Sequence, residues 1–157
     1  CRQMNRVLQR SGVRPMSGPA CGVRAMDLRK GDYLVGLAAV EEEGLVLSIS
    51  ENGYGKRTPL SNYRLTGRGC KGVINMKITP KIGKVVEVLP VKESTDVMII
   101  TRNGQIIRLD SEQIRETGRS AQGVRVVKME EGDQVAAACL VPESDDEGDK
   151  SGELPLQ

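Results

Sequence analysis

The chain repeats itself at an interval of about fifty residues, and no other feature restricts its fold so tightly. GVRAMDLRKGDYLVGLAAV begins at Gly22, GVINMKITPKIGKVVEVLPV at Gly72 and GVRVVKMEEGDQVAAACLV at Gly123, so the starts lie 50 and 51 residues apart. The stretches upstream align as well. ENGYGKRTPLSNYRLTGRGCKGV lies over RNGQIIRLDSEQIRETGRSAQGV without a gap, which matches Asn52-Gly53 with Asn103-Gly104 and Arg64 with Arg115. VLQRSGVRPMSGPACGV places Arg14 in that same column. Self-similarity at this period marks a repeat architecture, in which a unit cannot bury its apolar faces alone and must pack on its neighbours.

Each unit reads as strands. LVLSIS and VMIIT are short aliphatic runs leading to Asn-Gly, residues that tolerate the positive φ of a two-residue hairpin turn. A second strand follows, then a glycine-rich corner (67–72 and 118–123) and a third strand opening Gly-Val. A further glycine turn at Gly31, Gly83 or Gly132 leads to a fourth strand such as YLVGLAAV. PLSNYR and SEQIRET have room for a turn of helix only. The expectation is an all-β, propeller-like array of about three four-stranded blades, with residues 1–41 a truncated blade, 42–92 and 93–141 complete ones, and 142–157 a tail. Val35, Leu37, Leu47, Ile49, Val73, Val86, Ile99, Val124 and Val126 are the expected core, with Tyr33, Tyr54 and Tyr63 as packing residues. A short array of stacked blades leaves a blade face open at each end, which predicts pairing with another copy or with further blades.

Charge is unevenly distributed. Residues 142–157 hold six acids and one lysine, a net of −5, whereas 1–141 carry 22 bases against 15 acids. An acidic tail of this composition is expected to be disordered, and a basic body suggests a polyanionic partner. The chain has no His, Phe or Trp and only three Tyr, so it lacks both a histidine base and the stacking platforms that single-strand and RNA readers use. Cys1, Cys21, Cys70 and Cys139 are widely spaced, without a Cys-x-x-Cys pair, and read as small buried fillers in a reducing compartment rather than as a zinc site. No apolar run reaches the ~18 residues of a membrane helix. Gly53-Tyr54-Gly55-Lys56-Arg57-Thr58 lacks the spacing and the following helix of a phosphate loop. The reading is a binding module, with neither catalytic nor metal-ligating residues.

GYGKRTPL, GCKGVINMKI, GRSAQGVRVVKM and the acidic tail together resemble the C-terminal domain of bacterial DNA gyrase A. The resemblance runs through all three copies and implies a β-pinwheel, here its last three blades as a partial ring. Thr66-Gly67-Arg68-Gly69-Cys70-Lys71-Gly72 is similar to the family's glycine-rich signature box but keeps only part of it. The implied function is to bind and bend duplex DNA in support of ATP-dependent negative supercoiling by a type IIA topoisomerase. The implied partners are duplex DNA, gyrase B and the rest of gyrase A in an A2B2 assembly, in the bacterial cytoplasm at the nucleoid. ATP and Mg2+ would belong to gyrase B, and this segment needs no cofactor. The equivalent domain of topoisomerase IV and a propeller-like scaffold for protein partners are the alternatives.

The candidate DNA contacts are basic residues that recur by column. Arg14, Arg64 and Arg115 share one position, Arg57 and Arg108 a second, Arg68 and Arg119 a third, Arg24 and Arg125 a fourth; Lys56 and Lys71 flank turns of the middle unit. Equivalent positions on successive blades form a curved row, which suits bent duplex because each cation neutralises a phosphate and releases counterions. A repeated arginine is equally suited to bridging one unit to the next.

Overall fold

The computed structural model describes residues 3–5, 15–40, 43–69, 71–92 and 94–142. Among them are nine strands: β1 Gln3–Asn5, β2 Leu45–Ser50, β3 Tyr54–Pro59, β4 Val73–Met76, β5 Val85–Val91, β6 Asp96–Thr101, β7 Ile106–Asp110, β8 Val124–Arg125 and β9 Val135–Leu140. The helical content expected of PLSNYR and SEQIRET is a single 3-10 turn in each, Leu60–Asn62 and Ser111–Gln113. The chain is all-β, and among the described residues every strand ladder is antiparallel, with an isolated parallel bridge between Arg57 and Glu116.

The Asn-Gly turns are one residue longer than expected. In the β2–β3 hairpin the Gly53 N–H donates to Ser50 O at 3.0 Å, and Gly53 itself sits at φ 76°. The loop Glu51-Asn52-Gly53 is thus a turn followed by a left-handed glycine, the usual three-residue hairpin. Arg102-Asn103-Gly104 repeats it, with Gly104 N–H donating to Thr101 O at 3.0 Å.

The sheets do not coincide with the sequence repeats. The strand orders are β1-β4, β5-β2-β3-β8 and β7-β6-β9. Within a unit the fourth strand pairs with the first, β5 with β2 and β9 with β6, but the third strand leaves its unit to pair with the second strand of the preceding one. β4 joins β1 and β8 joins β3, so the four-stranded middle sheet draws its last strand from the next unit. Two glycines permit this crossing. A Cβ on Gly123, at φ +81°, would stand 2.5 Å from Gly55 O, and one on Gly55 would stand 2.7 Å from Val126 Cγ2.

Burial follows from the exchange. Leu47, Ile49, Val91, Val97, Ile99, Ile114, Val127, Val135 and Ala138 form one aliphatic core between the second and third units. Val46, Leu60 and Tyr63 cluster separately, and Tyr54, Met76, Ile82 and Val85 form a third group. Five of the six β2 residues are buried, whereas β6 alternates buried and half-buried, as expected of strands covered on two faces and on one. Full burial of one such aliphatic side chain is worth about 1.5–3 kcal/mol.

Residues 15–40 depart from expectation. Val35 is half-buried, but Leu37 is 96% exposed and Tyr33 61%, so neither belongs to a core. The fourth-strand sequence YLVGLAAV forms no strand, because its partner in the other units is the first strand of its own unit and none lies beside it among the described residues. Cys21 and Cys139 are exposed free thiols rather than buried fillers. Cys1, Cys70 and the acidic tail from Glu143 onward lie outside the described residues.

Candidate nucleic-acid interface

Arg14 also lies outside the described residues. The other ten candidate cations separate according to where their side chains end. Lys56 projects from β3 into the joint between the second and third units and has no exposed surface. Its Nζ donates to Asn75 O (2.5 Å), Gly118 O (2.8 Å) and Arg119 O (2.6 Å), which uses all three ammonium donors. Burial, and secondarily the Arg119 charge, lower its pKa from 10.5 to about 8. The expectation that Lys56 meets a phosphate is therefore corrected: the corner of the third unit closes over β3 and takes the ammonium for itself.

Arg57 serves the same joint. It is half-buried; its Nε donates to Ile114 O at 2.7 Å and a terminal nitrogen to Glu112 O at 3.2 Å. The backbone continues the link, with Arg57 N–H donating to Arg115 O at 3.3 Å and Thr117 N–H to Arg57 O at 2.9 Å. Arg119, also half-buried, reaches Ile74 O at 3.4 Å. Arg57 and Arg119 bond backbone carbonyls of the neighbouring unit, and Lys56 bonds two of that unit's carbonyls and one, Asn75 O, of its own. Behind them is a buried polar chain in which Asn75 Nδ2 donates to Ser48 Oγ at 2.8 Å and the Tyr63 hydroxyl donates to Asn75 Oδ1.

Arg24, Arg64, Arg68, Lys71, Arg108, Arg115 and Arg125 are exposed. Arg64 and Arg115 each stand two residues beyond a 3-10 turn, where the chain leaves the second strand for the glycine corner. Arg68 begins the turn with Gly69, whose N–H donates to Ala25 O at 3.1 Å and ties the corner to the first unit. Arg108 occupies the column of Arg57 yet pairs with Asp96 of its own hairpin, its Nε 2.7 Å from Oδ2. Arg125 lies 5.7 Å from the centre of the Tyr54 ring and donates to its hydroxyl at 3.3 Å.

Lys81 completes this last group, 5.6 Å over the same ring. The Arg125 hydrogen bond leads, with both cations' charges adding, in lowering the Tyr54 pKa against the opposing effect of burial. Column reasoning missed Lys81, because the position two residues before the turn glycine is Glu130 in the third unit. Its signal lies in space: Asn52 Nδ2 donates to Pro80 O and Lys81 O, at 3.2 and 3.1 Å, fastening that turn beside Tyr54. No group of three or more His, Cys, Asp or Glu placed to hold a metal occurs among the described residues. No helix among them is long and apolar enough to cross a membrane.

The sequence profile of the DNA gyrase C-terminal domain, a beta-propeller, matches residues 15–41, 44–92 and 95–140. The chain belongs to the DNA gyrase C-terminal domain family. Its relatives include the DNA gyrase A protein of Staphylococcus epidermidis, 46% identical over 138 residues, and that of Staphylococcus aureus strain MRSA252, 43% identical over 139. Each match covers 87% of this chain and 16% of the relative, so the chain spans about a sixth of the length of these proteins. A solved gyrase A C-terminal domain superposes with a TM-score of 0.80 at 28% identity, covering 87% of this chain and 47% of that one. The C-terminal domain of a topoisomerase IV shares the fold, with a TM-score of 0.78 at 21% identity over 85% and 42% of the two chains. In this gyrase-domain fold, exposed arginines recur at the corners and half-buried or buried cations fasten the joints.

Proposed function

We propose that this chain is the part of a gyrase A protein that binds duplex DNA and bends it, in support of ATP-dependent negative supercoiling by a type IIA topoisomerase. The observation that carries this reading is the recurrence of an exposed arginine, Arg64 and Arg115, at the same exit from the second strand in consecutive units. Arg68 and Lys71 add charge to the first of those corners, and Arg24, Arg125 and Lys81 are further exposed cations. Cations on successive corners neutralise successive phosphates, and counterion release supplies sequence-independent affinity. Bending 20–30 bp by 40–90° costs on the order of 1–6 kcal/mol, a load that several such contacts share. Lys56, Arg57 and Arg119 contribute by fixing one corner relative to the next.

On this reading strand cleavage and ATP hydrolysis, with its Mg2+, belong to the rest of gyrase A and to gyrase B in an A2B2 assembly acting on the nucleoid in the cytoplasm. Identities of 41–46% to gyrase A proteins support this assignment over topoisomerase IV, for which the likeness is one of fold. The test is relaxation of a closed plasmid by a type I topoisomerase in the presence of the chain. The reading predicts a topoisomer distribution displaced in linking number in proportion to bound protein. An undisplaced distribution under saturating binding would contradict bending with a defined sense, and absence of binding would favour a protein scaffold.

A further inference from the structure

Tyr54, Lys81 and Arg125 bound an opening of about 290 Å3 where the second and third units meet, at the small end of the range for ligand pockets. Tyr54 and Lys81 belong to the second unit, whereas Arg125 comes from the lent strand β8, directly opposite Tyr54 in the ladder. Two cations thus converge on one buried phenol, 5.6 and 5.7 Å from the centre of its ring. Among the described residues neither cation has a carboxylate within salt-bridge distance. Glu130 and Asp133 stand in the same wall but are engaged elsewhere. Glu130 Oε1 accepts from Gln105 Nε2 at 3.0 Å, and Asp133 Oδ1 accepts from the N–H groups of Asn103 and Gln134 at 3.1 and 2.7 Å. Like charges brought together in this way repel unless an anion lies between them. The Tyr54 hydroxyl accepts from Arg125 at 3.3 Å and keeps its own proton to donate. We propose that this pocket seats one phosphate group, held by Arg125, Lys81 and a hydrogen bond from Tyr54, and that the phosphate braces the second unit to the third.

The same columns in the next unit show that the fold does not require cations there. Gln105 occupies the Tyr54 column and Glu130 the Lys81 column, and the two satisfy each other through their 3.0 Å bond. A phenol set between cations in one unit is thus an amide bonded to a carboxylate in the next. What the middle unit gains is positive charge and donors on both sides of an opening. Charge-assisted donors from an arginine and a lysine suit the several oxygens of a phosphate. Two sources offer that group. One is the backbone of a duplex, in which case the site rests on the DNA reading above and deepens it; the other is free orthophosphate.

Two measurements on the chain test the pocket and separate the sources. In the first, inorganic phosphate is titrated at constant ionic strength with chloride as the balancing anion, and the Tyr54 ring and Arg125 guanidinium resonances are followed by NMR. A saturable shift is expected, with affinity lowered about threefold or more in Lys81→Ala and in Tyr54→Phe, which keeps the ring. Glu130→Gln should bind phosphate about threefold more tightly, and Glu131→Gln, the same charge change outside the pocket, should not. In the second, duplex binding is measured against salt. Lys81→Ala combined with Arg125→Ala should flatten the slope of log K against log salt by roughly 0.9, the value for one phosphate. Tyr54→Phe should lower duplex affinity at unchanged slope, because the phenol is uncharged. A flattening of about twice that value would mean two separate phosphates and overturns the shared seat. Duplex effects without a response to free phosphate assign the pocket to the backbone, and a phosphate response without duplex effects assigns it to orthophosphate. A parent chain that binds no duplex overturns the DNA reading alone, and the phosphate titration then decides the pocket. No saturable response to phosphate, together with parental duplex binding in variants folded by circular dichroism, overturns the pocket itself.

Discussion

β3 and β7 are the same strand in consecutive units, and they differ in whether a lent strand lies beside them among the described residues. β3 lies between β2 and the lent β8, and its Lys56 and Arg57 end among carbonyls of the third unit. Among the described residues β7 pairs with β6 alone; its residues in those columns are Ile107, half-buried, and Arg108, which turns back to Asp96. The same arginine column is thus a joint in one place and a surface ion pair in the other. A sequence column fixes where a side chain starts, while the neighbouring unit decides what it meets.

The largest effect should come from filling the crossing point. Gly123→Val forces a β-branched residue into φ +81° and drives its Cβ against Gly55 O, which should cost about 4 kcal/mol by denaturant titration. Gly22→Val meets the same backbone strain with nothing within 4 Å, so it should cost about 1–3 kcal/mol. Equal losses would mean that the β3–β8 joint contributes nothing beyond the strain of one glycine.

Lys56→Met comes next. It leaves three carbonyls without their donor, for a loss of about 3 kcal/mol near neutral pH. The effect has a pH signature. With its folded pKa lowered to about 8 from 10.5, Lys56 sheds its proton more readily folded than unfolded, so between those values this group makes stability rise with pH. Lys56→Met should lack that increment, and its deficit against the parent should widen from pH 8 to pH 10. A constant deficit would place the Lys56 titration at the ordinary lysine value.

Much of this was legible in the chain. The repeat announced the all-β units, and the Gly-Val starts marked the strands that are lent. What could not be read was the destination of those strands: a third strand paired within its own unit and one lent backwards have the same local pattern, because pairing is decided by the register of distant partners. Lys56 misled for that reason, since a lysine beside Gly-Tyr-Gly reads as exposed until another unit closes over it. Leu37 and Tyr33 misled in the opposite sense, having strand-forming sequence but no strand beside them among the described residues. Arg64 and Arg115 were placed at one structural position by alignment alone, because the 3-10 turn before each is fixed by short-range sequence.

A smaller effect separates the paired arginines. Arg57→Ala removes two hydrogen bonds to the neighbouring unit's backbone and should cost about 1–3 kcal/mol, whereas Arg108→Ala removes an exposed ion pair and should cost less than about 1 kcal/mol. Thermal unfolding of the two variants side by side measures the difference, and a reversed order would assign the joint to the wrong arginine.

The division of cations between corners and joints is tested most directly by the salt dependence of binding to a duplex of arbitrary sequence. With Arg64, Arg68, Lys71 and Arg115 all changed to Ala, folding should be retained and the slope of log K against log salt should flatten by roughly 0.9 for each phosphate no longer neutralised, about 2–4 in total. A folded quadruple variant that keeps the parent's affinity and slope would contradict the assignment of these corners to DNA.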